Sequence, residues 1–273
     1  MLLSRELGRF FLLAYALTWI FTIPFVVLWN TAWEQTLSPI VLFFLPAPFG
    51  PTFAALILTA RSGGRPAVKE LLRKLLMWRA SPSWWLFALL APVAVVAAAI
   101  GVSGFRGAFS EIDVLAGFAV APVVLLGALP FGPLPEELGW RGFAQPRLLE
   151  SGGVWKASLV IGVAWTFWHT PMFWFPGAAI PSFLDVTPLS ILLYLAQITA
   201  EACLMTALYL ATRGSVLLAV VYHTTFNTAE TIVFRMLPDP NLEQQVQVYV
   251  ISIVLSWLLA IALLARARRR YDQ

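Results

Sequence analysis

Charge is what this sequence has least of. Asp, Glu, Lys and Arg together supply 12% of its 273 residues, while hydrophobic types reach 60%. An average soluble domain carries about a quarter charged residues, so an ordinary soluble globular protein is excluded. Cysteine occurs once, at Cys203, which rules out an internal disulfide and a cysteine-based metal site. Histidine occurs twice, as His169 and His223, and no His-Glu-x-x-His zinc pattern is present. There is no internal repeat at a fixed period and no low-complexity tract.

What fills the space is a series of apolar runs. They fall at 10–29, 39–60, 83–104, 112–134, 157–175, 188–212, 215–234 and 246–265. At ~20 apolar residues per crossing these make about eight spans. The first has a positive flank, Arg5 and Arg9, but is longer than the apolar core of a signal peptide and has no small-residue cleavage site after it. It is expected to be a retained span. The second is interrupted by Pro46, Pro48 and Pro51 and is expected to kink.

Between the second and third runs the pattern changes. Val68, Leu71, Leu72, Leu75 and Leu76 recur at helical spacing, and Arg65, Lys69, Arg73, Lys74 and Arg79 take the other positions. A basic amphipathic helix near 65–79, tethered on both sides by spans, is expected to lie among anionic lipid headgroups rather than on nucleic acid. With the N-terminus in the cytoplasm, all but Arg106 and Arg235 of the 18 Lys and Arg fall on the cytoplasmic side, as the positive-inside rule requires. The expected fold is therefore an all-α polytopic membrane protein. Its helices bundle around a polar intramembrane cavity, with both termini cytoplasmic in the plasma membrane of a bacterium. One membrane domain covers 1–273: N-terminal spans and the basic segment at 1–110, a core at about 114–234, and a last span with basic tail at 246–273.

Polar groups inside such a chain are informative because a charge at membrane depth costs about 2.5–3.5 kcal/mol or more. Leu134-Pro135-Glu136-Glu137-Leu138-Gly139-Trp140-Arg141 follows the nearly uncharged run ending at Phe131. Proline suits a first helical turn. A helix from there puts Glu137 and Arg141 four apart on one face, acid first, the better order for an ion pair. Glu136 projects about 100° away with no sequence-local partner. A carboxylate beside a second one in a dry site is the setting for general acid–base work. His169 ends the stretch Trp165-Thr166-Phe167-Trp168-His169. His223 and Asn227 stand four apart in the seventh run and point the same way. Singly, each has a plain structural reading: a salt bridge at a span's end, a satisfied core histidine, a polar pair joining helices. Together they place both histidines and the only strongly charged motif in or beside spans.

Glu-Glu-x-x-x-Arg, then aromatic-x-x-x-His, then His-x-x-x-Asn, each on a separate span, resembles the CPBP family of intramembrane proteases, which includes the Rce1-type CaaX prenyl endopeptidases and the bacterial Abi proteins. The resemblance covers about 114–234. It implies an intramembrane endopeptidase acting near the terminus of a membrane-associated, CaaX-type protein or peptide. Glu136 and His169 would activate water, His223 and Asn227 would hold the carbonyl or its oxyanion, and Glu137 and Arg141 would support them. The family's second motif usually begins with Phe; here it is Trp165, which implies altered packing around a retained aromatic. Two routes stay open, a metal-free one and one in which Glu136, His169 and His223 ligate Zn²⁺. No organic cofactor is implied.

Glu201, in the middle of the sixth run, belongs to no motif of that resemblance. It is expected to be protonated or paired, with Arg141 as a candidate partner, or to line a wet cavity. Asp113, Asp185, Asp239 and Glu243 are expected in wet loops. Two other functions compete: a non-enzymatic immunity or partner-binding protein of the same fold, and a proton-coupled transporter using Glu136 and Glu201. The second calls for inverted repeats, and none is visible. The closing Tyr271-Asp272-Gln273 carries no prenylation signal.

Overall fold

The computed structural model describes residues 5–31, 46–103, 121–123, 125–175, 179–181, 183–235 and 241–271. Its long helices are α1 (Arg5–Thr31), α2 (Gly50–Arg73), α3 (Pro82–Val102), α5 (Gln145–Trp168), α6 (Pro188–Ala211), α7 (Val216–Arg235) and α8 (Leu242–Tyr271), with a short α4 (Pro133–Glu137) before a π-helical stretch, Leu138–Ala144. No strand occurs among the described residues. Four of these helices, over Arg5–Trp29, Pro82–Val102, Pro188–Ala211 and Leu242–Arg269, are long and apolar enough to cross a membrane. The chain is an all-α polytopic membrane protein.

The local chemistry explains the boundaries. Proline opens α3, α4 and α6, where its missing N–H costs nothing. Thr187 and Ser190 close a reciprocal capping box on α6. Two helices bend at glycines with left-handed φ, Gly64 in α2 (62°) and Gly153 in α5 (73°), a region that costs other residues strain. The bend at Gly64 separates the buried half of α2 from the basic half. Beyond it Leu71 is buried, while Leu72 and Leu76 stay exposed beside Arg65, Lys69 and Arg73. That is the interfacial helix expected from the sequence, closing in a 3-10 turn, Lys74–Leu76.

The bundle encloses charged groups within an apolar core and is apolar outside. Leu86, Leu90, Leu192 and Leu258 face outward, whereas Glu136, Glu137, Arg141, Glu201 and both histidines are buried. Lipid solvates the first set, and only the interior offers the second set partners. Helix α6 is the central column: 67% of its apolar window is enclosed, against 28% for α1 and α3. It packs chiefly on α5 and α8, α3 on α7, and α1 on α2. Small residues permit these approaches. A Cβ on Gly162 of α5 would come within 2.7 Å of the Thr199 backbone on α6, and one on Gly139 within 2.5 Å of Pro51.

Several boundaries differ from the sequence reading. The fifth helix starts twelve residues before the expected 157 and ends at Trp168, so His169 is its C-cap, followed by a 3-10 turn, Thr170–Trp174. Glu243 lies in the first turn of α8 rather than in a loop. Residues 39–45 of the second expected span, residues 112–120 and 124 of the fourth, and Arg106, Asp113 and Asp239 lie outside the described residues.

Candidate active site

The acidic turn is built to be held still. Glu136 N–H donates to the Gly132 carbonyl at 2.9 Å, and the Thr52 hydroxyl of α2 donates to the Pro135 carbonyl. Every residue of Leu138–Ala144 is buried. From outside, Lys74 Nζ donates to the Gly142 carbonyl at 2.7 Å, joining the interfacial helix to the π stretch. Burial, with Arg147 nearby, lowers the Lys74 pKa below the ordinary lysine value.

Glu137 and Arg141 pair as their spacing predicts, Nη1 to Oε1 at 3.1 Å with neither side chain exposed. The guanidinium also lies over the Trp165 ring, 5.0 Å from its centre. The same Glu137 oxygen meets His223 Nδ1 at 2.8 Å. Glu136, which lacks a partner in local sequence, has one in space. The Trp165 indole N–H donates to its Oε2 at 2.7 Å.

The two ring bonds decide what the histidines present. His169 Nδ1 lies 2.8 Å from the Trp165 backbone oxygen. A carbonyl only accepts, so Nδ1 carries the hydrogen and Nε2 keeps a lone pair. His223 Nδ1 faces a carboxylate and likewise carries a hydrogen. Its Nε2 is an acceptor when the ring is neutral and a donor when it is cationic. Trp165 ties these groups together: its ring meets His223 edge-on at 4.8 Å and lies 5.9 Å from His169.

Glu136, His169, His223 and Asn227 all line one cavity of about 430 Å³, within the usual range for ligand sites. Asn227, one turn after His223 on α7, is exposed into it. Gly132 keeps the mouth of the acidic turn clear. A Cβ there would sit 3.2 Å from Glu136 Oε1 and 3.6 Å from Asn227 Nδ2. A base, a lone pair and an amide donor, joined by His223 Nε2 as a second donor when its ring is cationic, thus meet at one space, which is what water attack on a carbonyl requires. No three His, Cys, Asp or Glu side chains among the described residues stand together closely enough to share an ion.

Other candidates fall elsewhere. Cys203 is buried as a free thiol. Glu201 pairs with Tyr222 and Ser256 rather than with Arg141. Two wall residues were not singled out in the sequence: Trp168, whose ring meets His169 at 4.6 Å, and Tyr194, at 5.8 Å from it. The cluster of aromatics around His169 was the available signal for Trp168; Tyr194 comes from another helix and had none.

Residues 118–229 match the family described as type II CAAX prenyl endopeptidase Rce1-like. All seven residues of the three motifs fall inside that match. The chain is also similar to CAAX prenyl protease 2 of Methanococcus maripaludis, 26% identical over 213 residues that cover 74% of this chain and 78% of that one.

Proposed function

On its similarity to the Rce1-like family over residues 118–229, we propose that the chain is an intramembrane endopeptidase that cuts a peptide bond near the terminus of a membrane-associated, CaaX-type protein or peptide. One observation carries the reading. Both histidine rings are anchored through Nδ1, one on a carbonyl and one on a carboxylate, which leaves both Nε2 atoms for the cavity that Glu136 and Asn227 line.

In the proposed reaction, water sits between Glu136 Oε1 and His169 Nε2. Glu136 takes its proton as the oxygen attacks the scissile carbonyl. The oxyanion receives hydrogen bonds from Asn227 Nδ2 and from Nε2–H of a cationic His223, whose charge Glu137 balances. As the tetrahedral carbon collapses and the C–N bond breaks, Glu136 returns the proton to the leaving amine. Trp165 N–H holds the other oxygen of Glu136, so that Oε1 stays turned to the water. No step of this reading passes through a metal ion.

The interfacial half of α2 and the end of α8 rest on anionic lipid. Support for this comes from a groove beside Trp84 lined by Arg213, Arg266 and Arg269. The test of function compares protein termini in membranes that carry the wild-type chain or Glu136→Gln at equal abundance. New termini confined to the wild type identify the substrate. Identical termini, with any cellular effect of the chain intact in the variant, leave a binding protein of the same fold.

A further inference from the structure

The cavity has a second polar end that this reaction does not use. On α6, Tyr194, Gln197, Ile198 and Glu201 line it, at the i, i+3, i+4, i+7 spacing of one helix face. Tyr194 abuts His169. Glu201 lies seven residues on, about 10 Å further along the helix at 1.5 Å per residue.

There the Tyr222 hydroxyl of α7 donates to Oε2 at 2.7 Å, and the Ser256 hydroxyl of α8 donates to Oε1 at 2.8 Å. The buried carboxyl is thus aimed from two neighbouring helices. No cation pairs with it among the described residues. One turn before Ser256, Ser252 also lines the cavity. It is 3% exposed, and its hydroxyl has no hydrogen-bond partner among the described residues. Many buried helical hydroxyls in the chain bond back to the preceding turn, as Thr206 and Thr224 do, whereas Thr199 is left without a partner among the described residues. Ser252 does not bond back either, and its hydroxyl lies one turn from the serine that bonds Glu201, in the wall of the same cavity.

A group entering this corner can donate to Glu201, whose oxygens each keep acceptor capacity beyond the one hydrogen bond they receive, and accept from Ser252. A carboxamide does both. Three residues of extended chain span about 10 Å, the offset between the two ends of the cavity. We propose that Glu201 and Ser252 form a specificity subsite that takes an Asn or Gln side chain of the peptide about three residues from the bond that is cut. The proposal rests on the endopeptidase reading, which makes the occupant a peptide.

The experiment uses the full chain carrying Glu136→Gln, reconstituted in lipid nanodiscs. Fluorescent acylated hexapeptides differ at a single position, Gln or Met, moved along the peptide. Anisotropy gives their affinities. At one position Gln is expected to bind at least tenfold more tightly than Met. Glu201→Leu and Ser252→Ala should each reduce that preference below twofold and leave the Met peptide unchanged. Ser252→Ala breaks no hydrogen bond within the described residues, so it carries the test even where Glu201→Leu does not fold. Equal binding at every position, or a preference that survives Ser252→Ala, overturns the proposal. Cleavage by the wild-type chain is scored separately in the same discs. A carboxamide preference without cleavage keeps the subsite and removes the endopeptidase; cleavage without a preference does the reverse.

Discussion

Glu137→Gln takes one charge out of a fully enclosed ion pair while keeping its volume. Arg141 is then left as a buried cation whose Nε and Nη2 have no hydrogen-bond partner among the described residues. Breaking such a pair from one side costs about 3–5 kcal/mol. Arg141→Met strands the carboxylate in the same way, with only His223 to balance it. The double variant removes both charges, and it should recover at least about 2 kcal/mol of the summed losses as coupling energy. The assay is reversible unfolding in mixed micelles for all four proteins, with peptide cleavage measured alongside. Stability and activity should part company: the double variant folds but does not cleave, because His223 Nδ1 no longer faces a carboxylate that can balance a cationic ring. Single losses below about 0.5 kcal/mol, or losses that simply add, would refute the reasoning.

Trp165→Phe keeps an aromatic ring and removes the donor to Glu136. Hydrogen bonds to charged groups contribute about 1.5–3 kcal/mol, so kcat should fall about tenfold to hundredfold, with the unfolding midpoint little changed. A loss under about twofold would make the indole N–H dispensable, as the family's usual Phe implies. Chelation of divalent metal is expected to leave cleavage intact, and activity lost to a chelator and restored by Zn²⁺ would overturn the metal-free route. Lys74 supplies a pH test. Because its folded pKa is lowered from 10.5, the unfolded chain holds a proton that the folded chain has shed at pH values between the two. Stability from this group is therefore present above the unfolded value and lost as pH falls through the folded one. Lys74→Met should flatten that rise in thermal midpoints measured toward pH 10.5, and an unchanged slope would count against it.

The parts of the site that were legible in the sequence are those set by helical spacing. Glu137 and Arg141 had to meet if the segment was helical, and His223 and Asn227 had to share a face. Burial at such cost also marked Glu136 for a task. What stayed hidden depends on tertiary contact. The donor to Glu136 comes from 29 residues away, and Trp165 was read as a packing substitute for Phe because its N–H has no visible destination in one dimension. Glu201 was assigned Arg141 as a candidate partner since charges are conspicuous in an apolar string. Its actual partners are hydroxyls of α7 and α8, which look like ordinary helix residues. The basic face of α2 could be read because periodicity and charge coincide there. The left-handed glycines that bend α2 and α5 could not, since Gly64 and Gly153 each follow another glycine and nothing local says which one turns.

Leu138–Ala144 carries seven residues in π rather than α geometry, between the acidic turn and the helix that ends at His169. Each i→i+5 turn holds one residue more than an α turn, so this short length contains spare chain. Deleting one residue there lets the turn relax to α-helix and rotates the acidic turn against α5 by about 100°, without leaving a gap in the helical backbone. Substitutions at Glu136 or His169 abolish a group; a one-residue deletion here re-aims it. Length change in this stretch, rather than replacement of the motif residues, is thus a route by which descendants of this chain reach a differently oriented general base on the same bundle.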